Sequence, residues 1–128
     1  MTEPYFNKAE NRGVKHFLNA ARFSAQGLSS AVRRESAFRQ ELFFSVPVLV
    51  SGCYLAEDGL TALLLFCSIT LVLVAELLNS GIEAAIDRIG TEKNELAGLA
   101  KDYGSAAVML TLIMAGSVWA YILYHALA

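Results

Sequence analysis

The stretch from Ala75 to Arg88, Ala-Glu-Leu-Leu-Asn-Ser-Gly-Ile-Glu-Ala-Ala-Ile-Asp-Arg, holds the densest set of groups able to do chemistry. On a helix of 3.6 residues per turn, Glu76, Asn79, Ser80, Glu83 and Asp87 share one stripe about 100° wide. Leu77, Leu78, Ile82 and Ile86 face elsewhere. Glu76 and Glu83 are then about 10 Å apart along the axis. The surrounding sequence is apolar, and an ionisable group inside a membrane-spanning helix costs on the order of 3 kcal/mol. Such a stripe needs a reason. It can be a polar seam between helices, an ion or proton path, or a site for charged substrates. A continuous path would need polar groups in the far half of the helix as well, and only Thr61, Ser68 and Thr70 are there.

Two further clusters carry charge. Glu35-Ser-Ala-Phe-Arg-Gln-Glu41 precedes an apolar run. Its Glu35 and Arg39 are spaced for a surface ion pair, whereas Glu41 stands at the mouth of the run. Thr91-Glu-Lys-Asn-Glu95 and Ala100-Lys-Asp102 precede another. Lys101 and Asp102 are placed there as interface anchors or as part of a site. Carboxylates can hold Mg²⁺, which usually also coordinates substrate phosphates. A lysine supplies a point charge for phosphate. A carboxylate in apolar surroundings holds its proton more tightly, which suits a general base near neutrality. Phosphoryl transfer asks for little beyond positioning and charge neutralisation. Neither GxxxxGK[ST] nor GxGxxG occurs, so a nucleotide site would have to be built from helices.

The elements that must position these groups are helices in a bilayer. The 128-residue chain is 55% hydrophobic, with a mean hydropathy of +0.47. That is too much apolar surface for one small soluble domain to hide. One membrane domain, 1–128, is expected, all-α, with spans at about 38–56, 60–86 and 102–127. Before them, at about 12–34, Val14, Phe17, Leu18, Ala21, Ala25, Leu28 and Val32 recur at helical spacing opposite a basic stripe. This is an amphipathic helix lying in the membrane surface. Phe23 falls on its polar side. The polar opening, MTEPYFNKAENRG, lacks the apolar core of a cleavable signal.

Lys8, Arg12, Lys15, Arg22, Arg33, Arg34 and Arg39 precede the apolar run of the first span, which begins at Leu42, and Arg88, Lys93 and Lys101 lie between the second and third. The positive-inside rule puts the N-terminus and that second loop in the cytoplasm. Trp119, Tyr121 and Tyr124 suit an interfacial belt on the other side. A net charge of −2 gives no reason to expect a nucleic-acid partner. Cys53 and Cys67 read as small packing residues.

Glu35-Ser-Ala-Phe-Arg-Gln-Glu41, Glu76-Leu-Leu-Asn-Ser…Glu83…Asp87-Arg-Ile-Gly90 and Ala100-Lys-Asp-Tyr-Gly-Ser-Ala-Ala107 resemble the prokaryotic diacylglycerol kinase family, from about residue 13 onward. The resemblance implies a homotrimeric helix bundle in the cell inner membrane, with active sites between neighbouring subunits. It implies ATP as cosubstrate, Mg²⁺ as cofactor, diacylglycerol as substrate and phosphatidate as product. By resemblance Glu76 is the catalytic base and Asn79 supports it. Glu35 and Glu83 hold Mg²⁺ and, through it, ATP. Glu92, Lys101 and Asp102 belong to the nucleotide site, and Ala21, Arg39, Gln40 and Ser105 lie along the lipid site. The resemblance breaks at His16 and Phe23, where the family's best-known members have Arg and Tyr. Those changes bear on nucleotide contact more than on chemistry. A related undecaprenol kinase, acting on a different lipid alcohol, and a non-catalytic membrane oligomer are the competing readings. The first is separated by assay on both lipids, the second by whether ATP is consumed.

Overall fold

The computed structural model describes residues 13–128. The polar opening with Lys8 and Arg12 lies outside the described residues. Four helices follow in order: α1 (Val14–Arg34), α2 (Ser36–Leu55), α3 (Gly59–Ile89) and α4 (Glu95–Leu127). No strand occurs among the described residues.

Local chemistry sets the breaks. Glu35 is the single extended residue between α1 and α2, at φ −94° and ψ 111°. Its backbone N–H still closes α1 by donating to Ala31 O. The guanidinium of Arg39 then folds back and donates to the carbonyls of Val32 and Arg33, at 3.3 and 3.1 Å. These are last-turn carbonyls without a helical partner, and a cation there also suits the helix dipole. The expected Glu35–Arg39 ion pair does not form, because Arg39 is spent on capping α1.

The turn between α2 and α3 ends at Asp58, whose side chain accepts from the Thr61 N–H at 2.8 Å, a standard N-cap. Asn94 does the same for α4, accepting from the Ala97 N–H at 3.1 Å. With that cap, α4 begins at Glu95, well before the span expected from residue 102. Lys101 and Asp102 therefore lie inside a helix rather than at its start.

α3 is the centre of the bundle. It packs most extensively against α4 and then against α2, while α1 touches mainly α2. The core lies at the end away from α1, where Leu65 and Ile122 are fully buried with Ile69. Trp119, one of the residues expected in the belt, is partly buried and packs onto this cluster. Gly52 permits the approach there, since a Cβ at that position would run into the Leu65 side chain. The same end is tied by His125, whose Nδ1 is 3.8 Å from Glu57 Oε1 and whose ring rests against Tyr121 and Tyr124.

Among the described residues two helices are long and apolar enough to cross a membrane, α3 with 31 residues and α4 with 33. α2 has the length, at 20 residues, but Arg39, Gln40 and Glu41 in its first turns lower its apolar character. Large apolar side chains are exposed along every helix, among them Phe17, Phe43, Phe66 and Leu110. Cys53 and Cys67 are exposed as well, so neither packs within the chain. A single chain in water would leave this surface uncovered, whereas lipid or other copies would cover it.

Candidate active site

The polar stripe of α3 runs from buried to exposed along its length. Glu76 and Asn79 are only 6% and 9% exposed. Ser80 and Glu83 are half-buried, and Asp87 is open. α2 and α4 cover the deep end of the stripe because α3 packs between them.

Asn79 is the pivot of this stripe. Its Nδ2 donates to Glu83 Oε1 at 3.3 Å, one turn along. Its Oδ1 is buried and has no hydrogen-bond partner. That oxygen faces Gly104 of α4, and a Cβ on Gly104 would collide with it. Further along the same seam Lys101 Nζ donates to Asp87 Oδ1 at 2.7 Å. The charge of Glu83 also acts on Lys101. The seam thus holds an amide, two carboxylates and an ammonium in sequence.

The second arm of the site comes from the α1–α2 junction. Glu35, half-buried at the extended residue, is close enough for its charge to act on Glu76, as does that of Glu83. Glu41, one and a half turns into α2, feels Glu76 in turn. One carboxylate oxygen of Glu41 is buried without a hydrogen-bond partner. It lines a crevice of about 350 Å³ between α2, α3 and α4, otherwise walled by Gln40, Val48, Ile69, Val72 and Leu112. Three carboxylates from three parts of the chain, Glu35, Glu41 and Glu83, therefore gather around Glu76.

The remaining expected site residues are distributed as follows. Glu92 lies in the exposed α3–α4 loop and lines an open groove of about 470 Å³ with Lys93, Asn94, Asp87 and Lys101. Asp102 is exposed beside Lys101. Arg39 and Gln40 share a wide apolar groove with Val32, Ser36 and Phe43. Ala21 and Ser105 are exposed on α1 and α4. Among the described residues no three His, Cys, Asp or Glu side chains stand close enough to hold a metal by themselves. That set still fits Mg²⁺, because a hard cation needs only one or two protein carboxylates when phosphate oxygens and water complete its shell. Two features were missed by the sequence reading: the orphan oxygen of Asn79 and the glycine that faces it. A glycine within the Ala100–Ala107 segment was the only available signal, and it says nothing about which helix approaches.

Two helices of membrane-crossing length, with a cluster of acids near one end of α3, define an all-helical membrane protein. The profile of the family "Prokaryotic diacylglycerol kinase" matches residues 22–123. Curated relatives named diacylglycerol kinase include one from Haemophilus influenzae, 44% identical over 88% of this chain and 95% of its own length. Another from Escherichia coli (strain K12) is 45% identical over 88% of this chain and 92% of its own. One from Helicobacter pylori (strain 26695) is 42% identical over 84% of each. The chain belongs to the prokaryotic diacylglycerol kinase family, and it is a membrane protein.

Proposed function

We propose that the protein is a diacylglycerol kinase that transfers the γ-phosphoryl group of ATP to the free hydroxyl of diacylglycerol, giving phosphatidate. The observation that carries this reading is the level at which the acids lie. A hydrocarbon core is crossed by about 20 helical residues. Counted from the Glu57–Asp58 turn, that length ends near residue 36 in α2 and near residue 79 in α3. Counted back from the end of α4, it ends near residue 108. Glu35, Asn79, Glu83, Lys101 and Gly104 all fall at or just beyond this boundary, and Glu76 falls just inside it. A lipid whose tails stay in the membrane brings its hydroxyl to that depth, and a triphosphate reaches the same level from water.

In this reading Glu76 accepts the proton of the lipid hydroxyl as its oxygen attacks the γ-phosphorus, and ADP leaves in line. Burial keeps Glu76 from water, so the proton it takes comes from the lipid. Glu35 and Glu83 would hold Mg²⁺, which when bound neutralises phosphate charge. Asn79 orients Glu83. Lys101 supplies a point charge to phosphate, with Glu92 and Asp102 bordering the nucleotide. Arg39, Gln40, Ala21 and Ser105 lie along the lipid. The exposed apolar faces are covered in a homotrimer with three spans per subunit, and neighbouring subunits complete each site. The protein sits in the cell inner membrane with α1 on the cytoplasmic surface.

The test is transfer of radiolabelled phosphate from ATP to diacylglycerol in proteoliposomes, with and without Mg²⁺, beside a parallel assay on undecaprenol. Mg²⁺-dependent labelling of diacylglycerol is expected. Labelling of undecaprenol alone, or of neither lipid, would overturn the assignment.

A further inference from the structure

Resting on the reading of Glu83 as a metal-holding carboxylate, we infer that Gly104 is a positioning residue: its missing side chain locks the Asn79 amide so that the nitrogen faces Glu83. Glu83 as a carboxylate offers only acceptor atoms, so the amide face turned toward it must be Nδ2. The oxygen must then point the other way, into α4. It meets Gly104 there, at a buried position where no donor satisfies it. A Cβ at 104 would overlap Oδ1 and approach Cγ at 3.2 Å and the Asn79 backbone Cα at 3.7 Å.

The neighbour is therefore not the free end of a flexible chain. Asn79 is held at its Cα by the helix and at Nδ2 by Glu83, 3.3 Å away. A side chain at 104 leaves two ways out. The amide turns and releases Glu83, or α4 shifts outward and carries Lys101, one turn earlier, away from Asp87. In the first case Glu83 loses the contact that orients it, and in the second Asp87 loses Lys101 and the seam beside Glu83 opens. Groups that orient a metal-binding side chain are worth about 10–100-fold in metal affinity or activity when removed. Most other glycines of the chain differ in kind. Gly116 on the same helix has open space where its Cβ would be, so it controls for adding a methyl group to α4.

The experiment reads Mn²⁺ binding by electron paramagnetic resonance on the reconstituted full chain, with a non-hydrolysable ATP analogue present. Thermal unfolding and oligomer size are measured beside it. Gly104→Ala is expected to weaken Mn²⁺ binding on the order of tenfold, and Asn79→Ala to weaken it similarly. The double variant should bind like Asn79→Ala alone, because the added methyl group acts only through the amide. Gly116→Ala should match the unmodified chain. Unchanged Mn²⁺ affinity in Gly104→Ala, or a further loss when it is added to Asn79→Ala, overturns the inference. If Gly104→Ala does not assemble alone, the double variant decides, since removing the carboxamide removes the obstruction. An unmodified chain that binds no Mn²⁺ with the nucleotide analogue overturns the metal reading beneath it, a different result from either.

Discussion

Glu76 is the base in the proposed function, and its surroundings state what to expect of a change there. It is buried, it lies among Glu35, Glu41 and Glu83, and no cation among the described residues pairs with it. Glu76→Gln keeps the shape and removes the ability to take a proton. A positioned general base contributes roughly 10²–10⁴-fold, so lipid phosphorylation should fall by about that factor. Assembly should be intact, because neutralising a carboxylate surrounded by others relieves repulsion. Phosphate transfer measured beside oligomer size checks both halves, and near-normal turnover in this variant would remove Glu76 from the role of base. How legible this was depends on the residue. The stripe through Glu76, Asn79 and Glu83 follows from periodicity, since the spacing of polar groups in an apolar stretch is a property of one helix. The contact of Asn79 with Gly104 joins residues 25 positions apart, and no local pattern encodes such a pairing.

At the scale of elements, the caps and close approaches decide where helices start and how they lie. Hydropathy alone places the third span at the onset of uncharged residues, about 102. The helix starts at Glu95 because Asn94 caps it and because Glu95, Leu96, Ala97 and Lys101 are good helix formers. Hydropathy finds the membrane-buried part of a helix and misses its wet extension. Glu35 as a break was legible only as a change of pattern, from an amphipathic to an apolar run.

Two predictions belong here. Asp58 accepts the backbone N–H of Thr61, and this bond, with a smaller contribution from Leu60, holds its carboxyl below the ordinary aspartate range. A folded-state value depressed in this way stabilises the cap at pH above the unfolded value and loses that contribution as pH falls through the folded one. Asp58→Asn keeps an acceptor and drops the charge, so its thermal midpoint should change less between pH 7 and pH 3 than that of the unmodified chain. Parallel melts at the two pH values measure it, and equal pH dependence would exclude the charge as the cause. Gly52 sits where a methyl group would strike fully buried Leu65. Gly52→Ala should lower stability by about 1–3 kcal/mol through overpacking, read by unfolding in detergent. Activity per folded molecule should stay close to normal, since Leu65 and Trp119 lie at the other end of the bundle from Glu76.

The whole molecule is a set of helices with two chemically unlike ends, and this asymmetry predicts how it lies. The wet ends of α3 and α4 carry Arg88, Lys93 and Lys101, and α1 at the same end carries Lys15, Arg22, Arg33 and Arg34 with no acid between Val14 and Arg34. The opposite end offers Glu57, Asp58 and His125 and no Lys or Arg. Charge of this kind, close to the ends of the spans, orients a polytopic protein with the cations on the cytoplasmic side. The proposed chemistry asks for the same arrangement, because ATP is a cytoplasmic solute and Lys101, Glu83 and Glu35 all lie at the cationic end. The charge pattern and the proposed function thus predict the same orientation. It can be read with a membrane-impermeant maleimide on a background in which Cys53→Ser and Cys67→Ser remove the two native thiols. Asn94→Cys, in the α3–α4 loop, should react only when the cytoplasmic face is open to the reagent. Glu57→Cys, in the α2–α3 turn, should react in intact spheroplasts. Labelling of both positions from the same side would mean that α3 does not cross the bilayer, and an inverted pattern would place the acids out of reach of cytoplasmic ATP.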